Sequence, residues 1–118
     1  MSKLRVWWIP QVPMQSFYVP VTSVEEGKKV MDMLAAYDAF QLQNKVKPDY
    51  CNTGGLQMYD EENKEWIDWY METDYDYFDN DNIDEYLLSI GKEKEMVYFT
   101  HELFLQIDWD KINAMTQW

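Results

Sequence analysis

One cysteine, Cys51, and one histidine, His101, are all that the 118 residues contain of the two side chains that build disulfides, zinc clusters and most nucleophile–base pairs. A lone cysteine closes no internal disulfide, and together with a lone histidine it cannot supply a zinc cluster. A reducing compartment is the natural setting. Basic residues are also few: ten Lys and Arg stand against 22 Asp and Glu, a net charge of −12. That balance disfavours direct contact with nucleic acid or an anionic membrane and favours a basic partner. Long apolar runs are absent too. After the basic start, MSKLRVWWIPQVP is apolar only from Val6 to Ile9 before Pro10. This is too short for the core of a signal peptide or a membrane span, so a cytosolic protein with no membrane insertion is expected.

Aromatic residues, by contrast, are plentiful. Six Trp, nine Tyr and five Phe in a chain that is 47% hydrophobic exclude a disordered acidic tail. The length suits a single domain, residues 1–118, with no internal repeat and no linker to divide it. In LRVWWI, Leu4, Val6 and Trp8 alternate with Arg5 and Trp7, which reads as a strand with one buried face. FYVPV alternates again at Phe17, Val19 and Val21, and Pro20 assigns that strand to an edge or a bulge. Thr22 or Ser23, followed by Glu25 and Glu26, starts a helix from about Val24 to Gln43. Its apolar stripe is Val30, Met33, Leu34 and Tyr37, and the residue before Pro48 ends it near Lys47. Asp49 to Gly55 reads as a loop ending in two glycines. Leu56–Asp60 and Glu65–Met71 read as strands joined by Glu61–Lys64, with Ile67, Trp69 and Met71 on one face. Trp8, Val19, Leu34 and Trp69 are the expected shared core. A short helix follows from Ile83 to Ile90, with Asn82 or Asp81 as its cap and Gly91 as its stop. Met96, Phe99, Leu103 and Ile107 fit a further helix. The expected fold is therefore α+β, an antiparallel sheet in β-β-α-β-β order with a helix packed on one face and a helical C-terminal segment.

The most unusual stretch is TDYDYFDNDNIDEY, residues 73–86, which sets six carboxylates beside four aromatic rings. It belongs to a longer acidic segment, residues 60–85, that holds twelve acids and one base, Lys64. A helix-loop-helix calcium site needs alternating oxygen ligands, a glycine at the sixth position and a Glu at the twelfth. Counting from Asp74 or from Asp79 meets Phe78 or Ile83 at an alternating position, and Asp79 or Asp84 where the glycine belongs. No metal site is expected. A solvated loop accounts for the charges but leaves the interleaved rings unexplained. Rings with one wet end are what binding surfaces use as anchors. Asp74, Tyr75, Asp76, Tyr77, Asp79, Asp81, Asp84 and Glu85 are accordingly the candidate partner-binding residues.

Other constellations are weaker. His101 has no Ser or Cys nucleophile near it in sequence, and a structural role is the simpler reading. Asp108 and Asp110 form a carboxylate pair of the kind that abundant acids produce by chance. No catalytic residue and no cofactor is assigned. Trp7, Trp8, Trp66 and Trp69 form an alternative ligand pocket, since small-molecule sites are largely aromatic and apolar, although core packing explains at least half of them. Basic side chains such as Lys3, Arg5, Lys45 or Lys47 beside those rings would favour a small-molecule or nucleotide-binding protein.

The words WWIPQVP, FYVPV, KPDY and GGLQMYD carry a resemblance. Over about Leu4 to Tyr70 the chain resembles the small phage and prophage superinfection-exclusion proteins. The resemblance implies a non-enzymatic bacteriophage accessory protein acting in the host cell cytoplasm against a competing phage or a host system. Joined to the acidic segment, it gives the expectation of an inhibitor that docks on a basic host or phage protein, a nucleic-acid-binding protein being one candidate and strict DNA mimicry a narrower form of the same idea.

Overall fold

The computed structural model describes residues 3–45, 52–70 and 83–116. Its elements are β1 (Leu4–Ile9), β2 (Phe17–Val21), α1 (Val24–Gln43), β3 (Thr53–Asp60), β4 (Glu65–Asp68), α2 (Ile83–Ser89), α3 (Glu93–Phe104) and α4 (Trp109–Thr116). The four strands form one antiparallel sheet in the order β2-β1-β3-β4. This is the expected α+β architecture. Pro20 lies in β2, at an edge, where a missing N–H breaks no ladder between central strands.

Helix α1 covers the sheet face that carries Val6. Ser23 caps its start by accepting the Glu26 N–H at 3.0 Å, and the Thr22 hydroxyl donates to the Glu26 carboxylate at 2.6 Å. The helix rests closely on the sheet at Gly27, where an added Cβ would lie 2.9 Å from Leu56 Cδ1. Val6, Val21, Val24, Leu56 and Trp69 form the core at this interface, with Val19, Val30, Met31, Met58, Ile83 and Tyr86 packed around it. On its other side α1 meets α2, α3 and α4. A second cluster there joins Ala39 and Leu42 to Ile107 and Ile112. Among the described residues the C-terminal helices pack mainly on α1, while Ile83 and Tyr86 of α2 also reach the sheet–helix core, where the Tyr86 ring meets Trp69 edge-on at 5.4 Å.

Burial on two sides of α1 changes which of its residues point inward. Met33 and Tyr37, expected in the apolar stripe, are 47% and 59% exposed, and Leu34 is half-buried and belongs to neither cluster. The contact faces are instead made of Val24, Gly27, Asp32, Ala36, Asp38, Ala39 and Leu42. Small residues let two layers approach one helix, so the largest side chains are displaced outward. Trp8, Val19 and Trp69 face the sheet–helix interior as expected, with Trp8 and Trp69 buried.

Gly54 and Gly55 are strand residues, not a loop. They pair with Trp8 and Trp7 of β1. A Cβ at Gly54 would lie 2.2 Å from the Trp8 ring, and one at Gly55 2.7 Å from the Trp7 indole nitrogen. The glycines make room for two indoles across the ladder. Strand β4 ends at Asp68, but the Trp69 N–H still donates to the Leu56 carbonyl at 3.0 Å, so the ladder register carries the Trp69 side chain into the core; Met71 lies outside the described residues. Ile107 sits between helices rather than within one. There Asp108 starts α4 by accepting the Lys111 N–H at 3.1 Å, while its own N–H donates to Gln43 at 2.7 Å. That capping task is the structural role of Asp108, and α4 itself goes beyond the sequence reading.

Candidate functional site

Of the candidate partner-binding residues, Asp74, Tyr75, Asp76, Tyr77, Asp79 and Asp81 lie outside the described residues. Asp84 and Glu85 are described: both are exposed in the first turn of α2, where carboxylates suit the helix dipole. The other end of the acidic segment is the β3–β4 hairpin. Asp60 organises its loop, accepting the Glu62 N–H at 3.0 Å, the Asn63 N–H at 3.3 Å and the Asn63 side-chain amide at 2.7 Å. The Asn63 side-chain bond is the main cause that holds the Asp60 carboxyl below its ordinary value. Glu61, Glu62 and Glu65 are exposed beside it. Among the described residues no three His, Cys, Asp or Glu side chains are grouped to hold a metal ion.

The four tryptophans of the alternative pocket do not converge. Trp8 and Trp69 are 6% and 8% exposed and face the interior, where the Trp8 indole N–H donates to Asp38 at 3.0 Å. Trp7 and Trp66 belong to the opposite face. Directly paired residues share a face of an antiparallel sheet, so the register gathers Tyr18 with Trp7, Pro20 with Arg5 and Gln57, and Tyr59 with Trp66 on the outer side. Arg5 is the centre of this face. Its guanidinium lies 3.8 Å from the Tyr18 ring centroid and 4.2 Å from that of Trp66, and its Nε donates to Gln57 at 2.8 Å. Lys3 lies 5.6 Å from the Tyr59 ring, which meets Trp66 edge-on at 5.3 Å. Of the basic residues set beside this reading, Lys3 and Arg5 are on this face, Lys45 is exposed just after α1, and Lys47 lies outside the described residues.

Two buried carboxylates on α1 escaped the sequence reading. Asp38 is 3% exposed and accepts from Trp8 and, at 2.9 Å, from the Asn52 amide, tying α1 to β1 and to the approach to β3. Asp32 is 7% exposed and takes an ion pair from Lys28 at 3.0 Å and a hydrogen bond from the Thr100 hydroxyl, tying α1 to α3. Both serve packing by satisfying polar groups that the interior would otherwise leave unpaired. The signal for them was the spacing of polar residues within an otherwise small-residue face. His101 is exposed on α3 at the rim of a groove of about 430 Å³ between α1, α2 and α3, whose lining includes no Ser or Cys. No described helix is long and apolar enough to cross a membrane.

The family described as superinfection exclusion gene product 17 matches residues 3–92. The match runs through the acidic segment and α2, well past the Leu4–Tyr70 resemblance. The superinfection exclusion protein of Salmonella phage P22 is 52% identical over 102 residues, covering 77% of this chain and 95% of that protein. No solved structure matches the chain.

Proposed function

The chain belongs to the superinfection exclusion gene product 17 family, which supports a phage-encoded accessory role, and from that premise we propose that it acts without catalysis, by binding and blocking a protein inside the host cell. The observation that carries this reading is the concentration of charge, with twelve acids and one base between Asp60 and Glu85 and aromatic rings set among them. The described ends of that segment, the hairpin acids and the first turn of α2, are exposed. Proteins that grip nucleic acid carry Lys and Arg spaced to meet phosphates. An acidic surface offers such a groove a competing ligand, and tyrosines add anchors that lose water on docking. The partner is therefore a host or competing-phage protein with a basic surface.

Affinity capture tests this. The parent and a variant with Asp74, Asp76, Asp79 and Asp81 changed to Lys are each used as bait in a lysate of cells undergoing superinfection, and bound proteins are identified by mass spectrometry. A basic protein retained by the parent, absent from the variant and released by moderate salt is the expected result. Equal retention by both baits would refute docking through the acidic segment.

A further inference from the structure

The outer face of the sheet has the features of a second site, independent of the acidic segment. Among the described residues Lys28, Lys29 and Lys92 pair with carboxylates. Lys3 and Arg5 form no ion pair among the described residues and are held by rings instead. The Arg5 guanidinium is fixed between Tyr18 and Trp66, and its Nε is taken by Gln57. Its outer N–H groups are thus presented as a preoriented planar fork, the geometry that suits phosphate oxygens. Lys3 follows on the same face two residues earlier, exposed. Tyr18 is 49% exposed and borders the open space above this face. These groups line a cleft of about 480 Å³ with Pro20, a size typical of small-molecule sites.

We infer that this cleft binds a mononucleotide, its phosphate held by Lys3 and Arg5 and its base stacked on the exposed part of the Tyr18 ring. Charge decides against a longer strand. Exposed Asp68 pairs with Gln57 on the same face, and the acidic segment begins one strand away. A polyanion would be repelled along its length, whereas a single phosphate meets two cations at short range.

Titration calorimetry of the full chain with AMP, CMP, GMP and UMP tests the inference, with inorganic phosphate and a short oligothymidylate as further arms. Saturable binding of at least one mononucleotide, with one site per chain and weaker binding of phosphate, is expected. Lys3→Glu, which reverses an exposed charge, and Tyr18→Leu, which removes the stacking ring, should each weaken it about tenfold while the melting temperature stays near the parent's. No saturable binding, unchanged affinity in both variants, or phosphate binding as tightly as the nucleotides would overturn the inference. Tighter binding of the oligothymidylate would overturn it in favour of an extended nucleic-acid surface. The acidic-segment variant retains this cleft, so failure here and failure of the docking proposal are read separately.

Discussion

Replacing Asp38 by alanine probes how the helix is held on the sheet. The carboxylate is 3% exposed and accepts from the Trp8 indole at 3.0 Å and the Asn52 amide at 2.9 Å. Without it, the Trp8 N–H stays buried, since Trp8 is 6% exposed, and an unpaired buried donor costs about 1–3 kcal/mol. Asn52 is half-buried and can turn toward water, so its loss is smaller, about 0.5–1.5 kcal/mol. Removing a buried carboxylate also relieves its own desolvation, which offsets part of both. The net expectation is about 1–3 kcal/mol, read as a lower urea midpoint at unchanged slope. Trp8→Phe removes the donor while keeping an aromatic ring, and a double-mutant cycle with Asp38→Ala should show a coupling of about 1–2 kcal/mol. A cost for Asp38→Ala below about 0.5 kcal/mol, or strict additivity in the cycle, would refute the reasoning.

Leu42 is fully buried and Leu34 only half-buried, so Leu42→Ala should cost about 2–5 kcal/mol and Leu34→Ala clearly less, about 1–2 kcal/mol; the reverse order by denaturation would show that α1 is rotated. Gly54→Ala brings a Cβ within 2.7 Å of the Trp7 carbonyl as well as onto the Trp8 ring, so it should cost about 1–3 kcal/mol or more. Gly91→Ala, at φ +77° in open space, is the strain-only comparison at about 1–2 kcal/mol. For Asp60, whose folded carboxyl lies below its ordinary value, the hairpin contribution is fully present above the usual carboxylate range and is lost as pH falls through the lower folded value. The Glu62 and Asn63 amide resonances should therefore report an Asp60 transition with its midpoint below the ordinary aspartate value; a midpoint at or above that value would contradict the assigned hydrogen bonds.

The parts of the fold that local chemistry encodes were legible. Alternation in LRVWWI and FYVPV gave two strands, Pro20 gave an edge, and Ser23 with Glu26 gave the start of α1. What failed depends on partners distant in sequence. The inward faces of α1 are set by a sheet on one side and helices on the other, which no single apolar stripe reveals. Gly54 and Gly55 look like a turn until Trp7 and Trp8 are known to lie across the ladder. The run from Met96 to Ile107 covers most of α3, but the break after Phe104 is fixed by Asp108 capping α4 and by Ile107 joining the cluster with Leu42. The tryptophans stand out in the sequence, but only the strand register shows that Trp66 meets Arg5 while Trp8 and Trp69 turn inward.

The central claim is that superinfection exclusion acts through the acidic segment. The most direct measurement is the plating efficiency of a challenge phage on cells expressing either the parent or the variant with Asp74, Asp76, Asp79 and Asp81 changed to Lys, at matched expression and matched melting temperature. Loss of exclusion in the folded variant is the predicted result. Undiminished exclusion by that variant would contradict the claim.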